Sequence, residues 1–321
     1  MRKLCICVCC VALLSLVSVI GRTETKKHAI NETETKADAL LHAGRYEQAF
    51  AAYRKGADLG SARSQAYVGY LYSTGKGTEK NPRKAFEWIT MAAEQNDPDA
   101  ENMLGILYQN GFGTDQNYGE ALIWFGKSAQ QGNVGAENSL GVLQRDGLGT
   151  AKDYSSAVAW FTRAAEQGLA SAADNLGQMY LLGSGTAQDY ARALKWLSMA
   201  AEQGFADAQN NVGVMYLKGL GTGQDFDSAR TWFLKAAAKG SVSAQNNLGD
   251  MYWKGLGVDP DPVQARAWFQ KANGQENTKV DSADHAPSQS TPQPAEGAQV
   301  SLKDGSAETT SDIVAINRAP L

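Results

Sequence analysis

Apolar residues recur along this chain at the spacing of helices. Between residues 97 and 132 two apolar stripes follow one another, with neighbouring members three or four positions apart. The first stripe consists of Ala100, Leu104, Leu107 and Tyr108, and the second consists of Ala121, Trp124, Phe125 and Ala129. Equivalent stripes recur in the later segments. The pattern therefore predicts pairs of amphipathic helices, each with one face toward a core.

A glycine pair separates the two helices of each pair. It reads GKGT, GFGT, GLGT, GSGT, GLGT and GLGV in chain order, and each copy begins 36 residues after the one before. The first glycines are Gly75, Gly111, Gly147, Gly183, Gly219 and Gly255. A phosphate loop is the alternative interpretation, but the copy GLGTG lacks the Gly-Lys-Ser/Thr ending and follows a helix. Six copies in register predict a turn.

An Asn or Asp follows each glycine pair at a fixed distance. These residues are Asn81, Asn117, Asp153, Asp189, Asp225 and Asp261. Their side-chain oxygens can accept a hydrogen bond from the first turn of a helix, so each predicts the start of the second helix. The second helices should end at left-handed glycines, which are Gly132, Gly168, Gly204 and Gly240.

A further glycine lies inside every first helix. The six are Gly69, Gly105, Gly141, Gly177, Gly213 and Gly249. Each destabilises its helix by about 1 kcal/mol relative to alanine, whereas burial of one large aromatic side chain stabilises by about 2–3 kcal/mol. We expect the missing side chains to let the two helices approach and the aromatic residues of the second helix to close over the gap.

These signals define the domain organisation. A shorter helix pair at residues 36–60 should cap the N-terminal end, after a linker at residues 22–35. Residues 275–321 contain four of the eight prolines and no Trp, Tyr or Phe, so we expect a disordered tail. The six repeats between them span residues 61–96, 97–132, 133–168, 169–204, 205–240 and 241–274.

The N-terminus has the pattern of a secretory signal. Arg2 and Lys3 precede an apolar run from Leu4 to Ile20, and Gly21 ends an acceptable cleavage site. The run is also just long enough for a short membrane span. We therefore expect an exported protein, periplasmic, envelope-bound or secreted, with residues 1–21 cleaved or retained as an anchor. All four cysteines lie in this segment, so a cleaved chain would form no disulfide.

The repeat resembles a known family. The segment AENMLGILYQNGFGTDQNYGEALIWFGKSAQQG (100–132) is similar to a Sel-1-like repeat, a relative of the tetratricopeptide repeat. The resemblance covers residues 61–274. It implies an all-α fold, an α/α solenoid of 36-residue repeats in a right-handed superhelix of the tetratricopeptide type. It also implies a non-catalytic adaptor that binds another protein or peptide, and it implies no cofactor.

Composition argues against several other functions. The net charge is -4, which leaves no basic excess for nucleic-acid phosphates. The three histidines, His28, His42 and His285, lie outside the six repeats. The repeats therefore lack the residues needed for a histidine- or cysteine-ligated zinc site and for a Cys-His or Ser-His-Asp catalytic arrangement. We expect no metal and no catalysis. A self-associating structural protein and an envelope hydrolase are the alternatives.

Candidate partner-binding residues lie on the first helices at positions that face the inner curve of such a solenoid. Amides spaced one repeat apart could pair with the backbone of an extended peptide, or could instead bond the neighbouring repeat as part of the scaffold. They are Asn102, Asn138, Asp174, Asn210 and Asn246. A second column contains Leu181, Leu217 and Trp253, which contact a partner, pack between repeats or form a C-terminal lid. The groove hypothesis predicts that alanine at Trp253 or Asn210 weakens binding without changing the melting curve.

Overall fold

The computed structural model describes residues 24–280, with side chains as far as residue 274, and within that range it contains fourteen helices and no strand. The helices are α1 (24–42), α2 (Tyr46–Asp58), α3 (Ala62–Thr74), α4 (Pro82–Ala93), α5 (Pro98–Asn110), α6 (Tyr118–Gln130), α7 (Val134–Asp146), α8 (Tyr154–Glu166), α9 (Ala170–Leu182), α10 (Tyr190–Glu202), α11 (Ala206–Lys218), α12 (Phe226–Ala238), α13 (Val242–Lys254) and α14 (Pro262–Val280).

The chain consists of two compact units. The boundary between them lies between Ala136 and Glu137, inside α7. Within each unit the two helices of one repeat pack on each other, and the second helix also packs on the first helix of the next repeat. This consecutive packing of helix pairs is the arrangement of an α/α solenoid. The all-α solenoid class predicted from the repeat is confirmed.

Helix starts and ends follow the predicted signals. Asn117 is extended, and its side chain accepts a hydrogen bond of 3.1 Å from the backbone N–H of Glu120 at the start of α6. The corresponding Asn and Asp residues cap α4, α8, α10 and α12 in the same way. Gly132 follows α6 with a φ of 85°. The local sequence therefore sets where these second helices begin.

In five of the six first helices the internal glycine lies directly under a buried side chain of the second helix, and in the last repeat it lies under the half-buried Phe269. A Cβ added at Gly105 would come within 2.6 Å of the Phe125 ring, and one at Gly213 would come within 2.6 Å of Phe233. Both phenylalanines are fully buried. The expected exchange of a glycine for a close helix crossing is confirmed at these positions.

The second glycine of the GxGT pair has a role that the sequence did not predict. Gly113 has a φ of 78° and packs against the carbonyl oxygen of Pro82, the first residue of the second helix in the preceding repeat. Gly77 and Gly221 meet the carbonyl oxygens of Tyr46 and Tyr190 in the same manner. At these positions the pair therefore turns the chain and also packs its repeat against the one before it.

The repeated tryptophans are half-buried, which corrects their placement in the buried stripe of the second helix. In α6, for example, Phe125 is fully buried in the core, whereas the preceding Trp124 lies at the edge of the buried stripe. A cation covers each indole with its charged group 3.7–5.1 Å from the ring centroid, a favourable arrangement for the ring quadrupole. The pairs are Arg54–Trp88, Lys127–Trp124, Arg163–Trp160, Lys195–Trp196, Lys235–Trp232 and Lys271–Trp268.

The N-terminal helix begins earlier than expected. Residues 24–35, assigned to a linker from the sequence, belong to α1. Polar contacts hold this helix against α3: the guanidinium of Arg63 donates to both oxygens of Asp38 at 2.9 and 3.0 Å, and Glu34 accepts from Ser64 at 3.0 Å. The start of this helix was predicted from the spacing of apolar residues. Because the contacts that hold residues 24–35 are polar, that spacing did not indicate them.

At the C-terminal end, α14 continues to Val280, so the first residues of the predicted tail are helical. The predicted signal segment at residues 1–21 and the rest of the tail lie outside the described residues. No helix within residues 24–280 is both long and apolar enough to span a membrane.

Candidate partner-binding face

Each first helix has a forward face, which we define as the stripe directed toward the following repeat. In α11 this face includes Val214 and Leu217, which share one buried apolar cluster with Leu248 and Met251 of α13. Asn210 lies on the same stripe, one turn before Val214. The equivalent stripe of α13, in the last repeat, contains Asn246, Asp250 and Trp253.

Two of the candidate amides bond the next repeat. The Nδ2 of Asn247 donates to Oδ1 of Asn210 at 2.9 Å, and the Nδ2 of Asn175 donates to Oδ1 of Asn138 at 3.1 Å. Both bonds join residues 37 positions apart, so each runs from one first helix to the next. Asn210 is fully buried. The scaffold interpretation therefore describes Asn210 better than the peptide-groove interpretation.

The other three amide-column residues differ in their surroundings. Asp174 is buried, and its Oδ2 accepts from Gln178 at 3.0 Å. Asn102 is half-buried, and its Oδ1 has no hydrogen-bond partner among the described residues. Asn246 is half-buried as well. The column is thus not a uniform row of exposed amides.

Asn210→Ala should lower the free energy of unfolding by about 1 kcal/mol, because it removes the acceptor of a buried hydrogen bond from Asn247. This replaces the expectation that the melting curve would not change. Asn246→Ala is the matched control and should stay within about 0.5 kcal/mol of the unaltered chain. Urea unfolding of both variants gives the comparison, and equal effects would show that the amide bond between repeats is unimportant.

The column of Leu181, Leu217 and Trp253 also contains both buried and exposed side chains. Leu181 and Leu217 are 6% and 8% exposed, as packing between repeats requires. Trp253, at the equivalent position of the last repeat, is 49% exposed. Among the candidates of this column, Trp253 therefore offers a large apolar surface to a partner.

Sequence reasoning missed a column of buried polar residues on the first helices. It contains Gln65, Glu101, Glu137, Gln209 and Gln245. The two acids accept hydrogen bonds from the residue that follows the second helix of their own repeat, Glu101 from Gln131 at 2.7 Å and Glu137 from Gln167 at 2.8 Å. Glu137 also pairs with Arg163 at 2.7 Å. The recurrence of Gln or Glu at this position in five of the six repeats, with Ala173 in the fourth, was the signal that could have revealed this column.

Burial raises the pKa of Glu101, and the hydrogen bond from Gln131 only partly offsets it. The folded chain therefore binds this proton more tightly than the unfolded chain does. Ionised Glu101 destabilises the fold above its raised pKa, and this destabilisation disappears as the pH falls below the ordinary glutamate range.

Glu101→Gln should therefore raise the melting temperature at pH 7, and the gain should shrink as the pH approaches 4. Glutamine already occupies the equivalent positions 65, 209 and 245. Glu137→Gln is the control, because it removes the partner of Arg163 and should not stabilise. Thermal unfolding across this pH range checks both variants. A gain for Glu101→Gln that does not depend on pH would contradict the assignment to ionisation.

Among residues 24–280, no three His, Cys, Asp or Glu side chains are grouped so as to hold a metal ion.

The six repeats match a known protein family. The Sel1 repeat family model matches residues 62–97, 98–133, 134–169, 170–205, 206–241 and 242–276. A crystal structure of a Sel1 repeat protein from Oxalobacter formigenes is similar, with 36% identity, a TM-score of 0.68, and coverage of 75% of this chain and 99% of that one. No curated protein sequence matches.

A second solved structure is that of c5321, described as a protective antigen present in uropathogenic Escherichia coli strains and displaying an SLR fold. It is 38% identical over 72% of this chain and 50% of that chain, with a TM-score of 0.68. Pseudomonas aeruginosa PilF shares the fold at 19% identity, with a TM-score of 0.54, over 70% of this chain and 99% of that one. Together, the six matched repeats and the two close structures show that this chain belongs to the Sel1 repeat family, whose repeats generally form scaffolds for protein–protein interaction.

Proposed function

We propose that this chain is an exported, non-catalytic scaffold that binds another protein or peptide through the forward face of its last repeat. The observation that carries the proposal is the exposure of Trp253. The same position in the two preceding repeats is buried, whereas here half of a tryptophan side chain is accessible to solvent. Exposed aromatic side chains of this size are typical anchors of protein interfaces.

The use of the repeated residues supports a scaffold in preference to an enzyme. The capping Asn and Asp residues, the paired glycines, and the buried phenylalanines all serve the helix pairs and their stacking. The side chains that vary between repeats lie on the first helices, and solenoids of this type use such a face for binding. The buried acids Glu101 and Glu137 have structural partners, Gln131 and Arg163, which account for them without a reaction.

Capture of native partners tests the binding proposal. The full chain, tagged at its C-terminus, is incubated with envelope and secreted extracts of its source organism, in parallel with Trp253→Ala and Ile123→Ala. Ile123 is 54% exposed on a second helix, so its variant removes a comparable apolar surface elsewhere. We expect one protein to be retained by the unaltered chain and by Ile123→Ala and lost with Trp253→Ala. Equal retention by all three chains would contradict the proposed face.

Export rests on the N-terminal segment, with Arg2 and Lys3 before the apolar run from Leu4 to Ile20. The description of the related c5321 as a protective antigen supports a location accessible from outside the cell. N-terminal sequencing of the chain recovered from cell fractions tests this proposal. A start near residue 22 in the envelope or secreted fraction supports cleavage, and an intact chain in the membrane fraction supports an anchor. An intact chain in the cytosol would contradict export.

A further inference from the structure

The forward face of the last repeat differs from the others in its chemistry as well as its exposure. Asn246, Asp250 and Trp253 lie at intervals of four and three on α13, so they share one helix face. In α11 the middle position of this stripe is Val214, which is fully buried in the cluster with α13. In α13 the same position carries a carboxylate.

Asp250 is buried without complete pairing. Its residue is 5% exposed, and Nζ of Lys254 donates to its Oδ2 at 3.3 Å. Its Oδ1 has no hydrogen-bond partner among the described residues and is itself covered, so a partner's donor reaches it only when the side chains over it move. Burial raises the pKa of this carboxyl, and Lys254 only partly opposes the change. A buried carboxylate oxygen without a hydrogen-bond donor is unfavourable. Oδ1 of Asp250 can therefore accept a hydrogen bond that no group of this repeat donates.

At two other sites among the described residues, arginine pairs with a carboxylate beside an aromatic ring, and at one of them the carboxylate is fully buried. The guanidinium of Arg163 pairs with the fully buried Glu137 at 2.7 Å and lies 4.8 Å from the centroid of Trp160.

The N-terminal unit contains a second example of this arrangement. Arg63 bonds both oxygens of Asp38 and lies 5.3 Å from the centroid of Tyr67. The two sites share a carboxylate, an aromatic ring and a guanidinium. The last repeat holds the first two of these, Asp250 and Trp253, one helical turn apart.

We infer that the last repeat binds an arginine side chain of a partner protein, with the guanidinium stacked on Trp253 and hydrogen-bonded to Asp250. This inference rests on the proposed function and names the chemistry that the partner brings. Asn246 adds an acceptor to the same face, one turn before Asp250. Arginine fits better than lysine because its planar group stacks on an indole and donates several hydrogen bonds at once. An ammonium group, that of Lys254, is already present and leaves Oδ1 unpaired.

The test follows Trp253 directly in solution. The chain contains seven tryptophans, and each gives one indole N–H resonance in a nitrogen-15 correlation spectrum. The loss of a resonance in Trp253→Phe assigns Trp253. The full chain is titrated with N-acetyl-arginine amide at constant ionic strength. N-acetyl-citrulline amide, which has the same shape without the charge, and N-acetyl-lysine amide are the matched probes.

We expect the arginine amide to shift the Trp253 resonance by at least about threefold more than either probe, since only the guanidinium combines charge with a planar stacking group. Asp250→Asn should remove most of the shift, and the other six indole resonances report whether this variant remains folded. An equal shift with citrulline, no shift at all, or an unchanged shift in Asp250→Asn would each overturn the inference.

The experiments also distinguish three further outcomes. If diluting the chain without any probe moves the Trp253 resonance, a second copy occupies this face and the arginine inference fails. If Trp253→Ala abolishes partner capture while the arginine titration is silent, the proposed function stands and the inference about arginine falls. If the titration succeeds and capture does not depend on Trp253, the site exists and the proposed function fails.

Discussion

Gly113→Ala should lower the free energy of unfolding by about 2–5 kcal/mol, one of the largest losses expected from a single added methyl group in this chain. The left-handed backbone contributes about 1–2 kcal/mol of this. The remainder, about 1–3 kcal/mol, comes from the clash of the new Cβ with the carbonyl oxygen of Pro82. Because Pro82 starts the second helix of the preceding repeat, relief of the clash requires one repeat to move away from the other.

Gly132→Ala provides the matched control for this prediction. Gly132 also has a positive φ, 85°, but a Cβ at this position would meet no atom within 4 Å. Its variant should therefore show the backbone term alone, about 1–2 kcal/mol. Urea unfolding of both variants measures the difference, and equal losses would show that the second glycine of the pair only turns the chain.

Phe233→Ala should lower the free energy of unfolding by about 3–5 kcal/mol, since Phe233 is fully buried and belongs to the apolar cluster formed by α11, α12 and α13. Leu234→Ala, at the adjacent 41% exposed position, is the control and should change stability little. Denaturant unfolding of the two variants tests whether the second helix stabilises the repeats through this single ring.

A double variant tests the pairing of Gly213 with Phe233. Gly213→Ala alone should destabilise, because its Cβ would lie 2.6 Å from the Phe233 ring. In the Phe233→Ala background the same methyl group enters the space left by the ring. The loss for the double variant should therefore be smaller than the sum of the two single losses by about 1 kcal/mol or more. Additive losses would contradict the contact.

The sequence was informative wherever one residue type serves one local purpose. Asn117 could be placed as a helix cap, and Gly132 as a helix end, because a cap or a left-handed glycine depends only on the backbone beside it. Gly105 could be paired with an aromatic neighbour because its unfavourable helix propensity needed a compensating contact. These features reappear every 36 residues, so each confirmation supports the others.

The sequence was less informative where a residue's role depends on the next repeat. Asn210 and Trp253 looked equally available in the alignment of the repeats, but the bond from Asn247 and the packing of α13 bury Asn210. Within residues 24–280 no further first helix follows α13 to pack on Trp253, which is 49% exposed. Trp124 was assigned to the core because the helical stripe is wide, whereas the adjacent Phe125 fills that space. Neither distinction can be read from the spacing of residues alone.

The central claim is that a partner meets the forward face of the last repeat, and amide hydrogen exchange of the full chain with its captured partner tests it most directly. We expect bound partner to slow exchange in α13, at residues 246–254, and to leave the amides of α6 around Ile123 unchanged. Protection confined to the second helices, or no protection in α13, would contradict the account.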